Sequence, residues 1–217
     1  METYIKDPGS SLTHLFGLLF SIIMTPVLLI HAAGHGASLH VLICLAIFMA
    51  GSMLLYGAST TYHTFDISTK VNSILRKIDH MMIFVLITAT YVPCCLVLIG
   101  GKRGTILLSV VIALSILGMI MNGLWITCPK WLSSIIYIAL GWSCVFAFPT
   151  ILSRAPIGAF LWLLTGGIFY TVGGVIYAIK IPVFGDRFRY FKSHELFHVF
   201  VLLGSLCHLI MMYCYLA

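Results

Sequence analysis

Ser193-His194-Glu195-Leu196-Phe197-His198 opens the last long apolar run of this chain and places two imidazoles four residues apart. On a helix that spacing puts both rings on one face, about 5–6 Å apart at Cβ, which suits two ligands of one metal ion. Polar side chains within apolar sequence are costly, and such positions are candidates for function. Two further polar groups stand at the edges of other apolar runs. Ser59-Thr60-Thr61-Tyr62-His63 closes one of them, with Ser59 and His63 again four apart, and Lys77-Ile78-Asp79-His80 opens the next. Three imidazoles from His63, His194 and His198 would make an open tetrahedral zinc site, the arrangement of catalytic rather than closed structural zinc. Zinc brings the pKa of a coordinated water to about 7, so the chemistry on offer is hydrolysis. Asp79 suits either a fourth ligand or a general base, and Ser59 suits a hydrogen bond to the water or to a developing oxyanion.

The elements that must position these groups are membrane helices. The chain has 217 residues, of which 61% are hydrophobic and 8% charged, with a mean hydropathy of +1.10. A soluble domain carries about 25% charged residues, so this is an integral membrane protein, expected as a single domain over residues 1–217. Apolar runs of bilayer-spanning length recur seven times, near 12–30, 39–62, 78–99, 105–125, 131–150, 157–179 and 196–216. Backbone amides in lipid need internal partners, so the runs are read as seven transmembrane α-helices. The first is taken as a retained helix rather than a signal peptide, being longer than an h-region and preceded by a single basic residue, Lys6, that Asp7 offsets. With the N-terminus cytoplasmic, nine of the twelve basic residues fall on that side, against Lys102, Arg103 and Arg154 on the other. The bias favours N-terminus in and C-terminus out, the reverse of a G-protein-coupled receptor. The same topology brings His63, Asp79, His194 and His198 to one depth, in the inner leaflet.

Other readings of the same residues were weighed. His194-Glu195-x-x-His198 also satisfies the H-E-x-x-H pattern of metalloproteases, but a third ligand from a later helix is not available, and Glu195 suits the first turn of a helix. His14 and His208 read as hydrogen-bonded structural residues; a straight helix sets His208 about 15 Å beyond His198, too far to share its ion. His31, His35 and His40 lie in or beside the first outer loop, and His80 is a neighbour of the site rather than a ligand. The seven cysteines lack paired spacing and read as small buried hydrophobes. Gly166-Gly167 and Gly173-Gly174 mark close helix packing or a lateral opening for a lipid chain. The +6 formal charge is dispersed over loops and reads as orientation, not as a nucleic-acid surface.

At Ala58-Ser59-Thr60-Thr61-Tyr62-His63, Lys77-Ile78-Asp79-His80 with Ala89-Thr90-Tyr91-Val92-Pro93, and His194-Glu195-Leu196-Phe197-His198 with Gly204-Ser205-Leu206-Cys207-His208, the chain resembles the progestin and adipoQ receptor family, in its bacterial hemolysin III branch. The resemblance covers nearly the whole chain. It implies zinc held by His63, His194 and His198, with Asp79 and Ser59 beside its water. It also implies kinship with alkaline ceramidases, thought to be membrane-embedded hydrolases of lipid amides or esters. Bacterial members are associated with membrane homeostasis and, by name, with haemolysis. The chain departs from the family before the first helix, where Asp7-Pro8-Gly9-Ser10-Ser11-Leu12 stands in place of acidic and Asn residues, so no N-terminal contribution to the site is carried over.

The expectation is therefore a multi-pass plasma-membrane protein that acts in membrane lipid homeostasis, with membrane lipids as partners and zinc as cofactor. In it Asp79 and Ser59 serve hydrolysis of a lipid amide or ester. A non-enzymatic sensor braced by zinc is the second reading, and a pore-forming cytolysin, for which little polar lining is present, the third.

Overall fold

The computed structural model describes residues 5–125, 128–179 and 192–217. Those residues form α1 (Pro8–Gly34), α2 (Leu39–Thr64), α3 (Thr69–Pro93), α4 (Gly101–Leu124), α5 (Lys130–Gly141), α6 (Phe148–Arg154), α7 (Ile157–Ile179) and α8 (Ser193–Tyr215). A π-helical turn over Cys94–Ile99 extends α3, and a 3₁₀ segment over Trp142–Ala147 joins α5 to α6. The result is seven helical spans long and apolar enough to cross a bilayer, the fifth made of α5 and α6 together. The seven spans match the seven runs of the sequence, with one systematic difference. Helices α1 and α3 begin earlier than their apolar runs, at Pro8 and Thr69, because polar first turns are helical too: α1 starts on a proline at its first turn and α3 on a capped one. Ser68 accepts a hydrogen bond from Val71 N, and Ser38 does the same for Val41 N at the start of α2.

The spans close into a ring. Neighbours α1–α2, α2–α3, α3–α4, α4–α5, α5–α7, α7–α8 and α8–α1 all pack against one another. Glycines set the closest approaches. A Cβ on Gly51 of α2 would lie 2.3 Å from the Ala89 Cβ of α3, and one on Gly204 of α8 would lie 2.8 Å from the Tyr170 ring of α7. Gly166 of the sequence pair Gly166-Gly167 faces the His208 ring, and Gly173 faces Phe200, so both are packing positions. The outward faces carry large apolar side chains such as Phe16, Ile30, Leu117 and Phe146. That surface suits acyl chains rather than water. Inside the ring lies a cavity of about 150 Å³, mostly apolar, running from Ser59 and Asp79 at one end to Ile99 and Ile151 toward the other.

Candidate metal centre

Helix α2 ends at the same end of the bundle at which α8 begins, and this brings His63 beside His194 and His198. One ring nitrogen from each lies within 4.8 Å of the corresponding nitrogens of the other two, a spacing that could hold a metal ion. His63 and His198 are buried and His194 is partly so. The Nε2 atoms of His63 and His194 are 3.2 Å apart. Two nitrogens of a tetrahedron with metal–nitrogen bonds of 2.0–2.1 Å are separated by about 3.3 Å, so this edge already has the right length.

The other ring nitrogens are committed elsewhere. His63 Nδ1 donates to Asp7 Oδ2 at 2.9 Å, and His198 Nδ1 faces the Ser10 carbonyl and the Thr13 hydroxyl, each at 3.2 Å. Both contacts fix the tautomer that leaves Nε2 with a lone pair for a metal, the arrangement usual for ligating histidines. His194 Nδ1 is buried with no hydrogen-bond partner among the described residues. Its ring is held by packing instead, between Tyr177, at a centroid distance of 5.5 Å, and Phe197, at 6.2 Å. The three imidazoles thus fit a divalent ion that prefers nitrogen ligands.

The N-terminal stretch, to which the sequence assigned no part in the site, supplies two of these contacts. Asp7 also donates its backbone N–H to His63 O, and Ser11 Oγ meets Thr64 Oγ1 at 2.6 Å, so the start of α1 is stitched to the end of α2. Glu195, treated as an incidental helix-start residue, accepts from Ser10 Oγ at 2.6 Å and from Lys192 N at 2.7 Å. It caps α8 and ties it to α1. The signal available in sequence was an acid directly before the Pro8 start of a helix, which reads as ordinary charge without its partner.

His14 differs from the hydrogen-bonded role expected of it. Its ring stacks on His198 with centroids 3.7 Å apart and planes 6° from parallel, and neither nitrogen has a hydrogen-bond partner among the described residues. It supports a ligand ring by its face. His208 donates from Nε2 to Leu163 O at 3.2 Å, away from the cluster. His80 engages Arg76 O at 2.7 Å and Tyr177 Oη at 3.3 Å, as a neighbour of the site.

Asp79 and Ser59 lie in the wall of the cavity together with His194 and His198. Both are buried, at 8% and 1% exposure. The Asp79 carboxylate stands outside the set of mutually close ligand atoms. Ser59 Oγ has no hydrogen-bond partner of regular geometry, although the hydroxyl neighbours the Asp79 carboxylate. A buried carboxylate and a buried, unsatisfied hydroxyl therefore face the same space as two of the three imidazoles.

A ring of seven membrane spans enclosing a three-histidine cluster at the head of an apolar cavity defines a class: an integral membrane protein with a candidate metal centre buried at one end. The sequence comparisons specify it further. The family model described as "Haemolysin-III related" matches residues 2–209, and the chain belongs to that family. It is 30% identical to "Hemolysin-3" of Bacillus cereus, over 94% of this chain and 90% of that one. It is 32% identical to "Hemolysin-3 homolog" of Bacillus subtilis, over 94% and 92%. A more distant likeness, 28% identity over 74% of this chain and 40% of the relative, is to an "Adiponectin receptor protein" of Drosophila melanogaster. No solved structure matches the chain. Family and spans together make this a multi-pass integral protein of the plasma membrane.

Proposed function

We propose that this protein is a zinc-dependent hydrolase of a membrane lipid amide or ester, that its N-terminus is cytoplasmic, and that it serves membrane lipid homeostasis. The observation that carries the reading is the convergence of His63, His194 and His198 at the head of an apolar cavity that Asp79 and Ser59 also line. Zinc bound by the three imidazoles would supply Lewis acidity, lowering the pKa of water to about 7. Everything else falls to the chain. Asp79 takes the proton of the attacking water as general base and returns it to the leaving amine or alkoxide as the carbonyl–heteroatom bond breaks. Ser59 donates its hydroxyl hydrogen to the oxyanion that develops on the carbonyl oxygen. The apolar cavity holds the substrate's hydrocarbon and keeps bulk water away from the reacting carbonyl. Asp7, Ser10 and His14 hold the ligand rings in place, and His14 also lines the cavity.

The test pairs metal content with lipid composition. Membranes carrying the wild-type protein should differ from those carrying Asp79→Ala in one defined lipid substrate and its hydrolysis product, while both proteins retain equal zinc. A second reading, a non-enzymatic factor braced by the metal, is favoured by the cluster's position across α2 and α8, where it ties two non-adjacent stretches of chain. Identical lipidomes with equal zinc and equal cellular phenotype would establish the brace and remove the hydrolase.

A further inference from the structure

Two polar groups stand deep in the apolar cavity, and the histidine cluster uses neither. His208 of α8 lines the cavity and is 6% exposed. It follows His198 on the same helix by about 15 Å. Its Nε2 donates to Leu163 O, so Nδ1 carries a bare lone pair, and Nδ1 is buried with no hydrogen-bond partner among the described residues. The Cδ2–Nε2 edge of the ring faces α7, where both atoms would lie 2.4 Å from a Cβ on Gly166, so the Nδ1 side is turned away from that helix. Tyr170 of α7 lines the cavity as well and meets the His208 ring in a T-shaped contact, with centroids 5.5 Å apart. The hydroxyls around Tyr170 leave one hydrogen over. Tyr56 Oη donates to Ser205 Oγ at 2.6 Å, and Ser205 Oγ and Tyr170 Oη share a second bond at 2.8 Å. Three hydroxyl hydrogens thus serve two bonds. When Ser205 donates to Tyr170, the spare hydrogen sits on Tyr170, the member of the trio that lines the cavity. A chain of hydroxyls running in one direction strengthens the last of them as a donor.

A bare acceptor beside a spare donor, in a wall that is otherwise mostly apolar, suits a group that both donates and accepts. Leaving either one buried and unpaired is costly. A buried water typically makes about three hydrogen bonds, more than this pair supplies. A hydroxyl on a hydrocarbon chain needs one donor and one acceptor, and the chain itself matches the apolar wall. We propose that this part of the cavity recognises a lipid chain bearing a mid-chain hydroxyl, which donates to His208 Nδ1 and accepts from Tyr170 Oη. An extended chain advances about 1.2 Å per bond. A group about 15 Å from the histidines therefore lies roughly a dozen bonds along a chain whose carbonyl end is at the metal. The inference deepens the hydrolase reading, on which it rests for the placement of that carbonyl end, and it names the substrate class as hydroxyacyl lipids.

The test measures binding rather than turnover. The full chain in detergent is offered an equal mixture of stearate and stearate hydroxylated at mid-chain, and native mass spectrometry reports which is retained. Neither fatty acid has a bond to hydrolyse. Loss of the lipid difference between wild type and Asp79→Ala would thus remove hydrolysis and leave this preference in place. Wild type should retain the hydroxylated chain about tenfold more than the plain one, the worth of one to two net hydrogen bonds. Tyr170→Phe and His208→Phe each remove one partner and should each cut that ratio several-fold. Tyr170→Phe loses a single hydroxyl and covers the case in which His208→Phe does not fold. Stearate hydroxylated next to its carboxylate is the positional control, and its retention relative to stearate should be the same in wild type and both variants. Equal retention of the mid-chain-hydroxylated and plain chains by wild type would overturn the proposal and leave the subsite to water. So would a preference that survives both substitutions.

Discussion

The Asp7 carboxylate does for His63 what the Ser10 carbonyl does for His198: each accepts from Nδ1 and so presents Nε2 to the common point. The two acceptors differ in strength. A carboxylate bond is charge-assisted and raises the basicity of the ring it holds, whereas a carbonyl chiefly orients it. Asp7 is also partly exposed, with 43% of its side chain open, so removing it need not disturb packing. Asp7→Ala should weaken metal affinity by about 10–100-fold, the usual range for losing such an outer partner. Asp7→Asn should recover much of the loss, because its amide oxygen still accepts from Nδ1. Competition with a metallochromic chelator on detergent-solubilised protein measures both, and equal affinity in Asp7→Ala would show that the contact does not tune the centre. His194 and His198 were legible in sequence because i, i+4 spacing is a local rule, and His63 because the order of spans set it at their depth. Asp7 and the stacked ring of His14 were not, because their partners lie 56 and 184 residues away, at His63 and His198.

Helices α2 and α3 carry His63, Ser59 and Asp79, so the distance between them sets the geometry of the site. That distance is fixed by Gly51, whose hydrogen occupies the only space left against Ala89; a Cβ there would stand 2.3 Å from the Ala89 Cβ. Gly51→Val should push the two helices apart and cost about 1–3 kcal/mol, the range for overpacking a tight contact. Gly57→Ala, on the same helix, should be almost neutral, since its added carbon would meet only Leu18 at 3.9 Å. Thermal unfolding of the two variants in one detergent separates them, and equal midpoints would refute the packing argument. The seven spans themselves were readable from hydropathy, because lipid forces every long apolar run into helix. The division of the fifth span into α5, a 3₁₀ segment and α6 was not. Hydropathy records composition, and the turn over Trp142–Ala147 is set by tertiary bonds, with Tyr91 Oη accepting from Cys144 N and donating to Gly141 O.

At the scale of the whole molecule the ring of spans has to close for the cavity to exist. The closure between α1 and α8 runs from the contacts of Ser10 with Glu195 and His198 at one end to the stack of His31 on Tyr213 at the other. Sequence placed the polar clusters at one depth, but a shared depth says nothing about an enclosed volume, which depends on which helices are neighbours. The basic bias that orients the bundle includes Lys180, Arg187 and Arg189, which lie outside the described residues; among those described, Arg76, Lys77 and Lys130 gather at the end that holds the metal cluster. That gathering supports a cytoplasmic placement of the site under the positive-inside rule. The cavity then offers the sharpest separation of metal binding from lipid binding. Ile87 lines it from α3, eight residues and roughly 12 Å of helix beyond Asp79. Ile87→Trp should fill much of the space with an indole while leaving the three imidazoles and their partners untouched. The expected outcome is full zinc content, loss of co-purifying lipid and loss of the lipid difference that distinguishes wild type from Asp79→Ala. Full zinc with lipid turnover intact would mean that the substrate reaches the histidines by a route other than this cavity, from the open face beside Asp7.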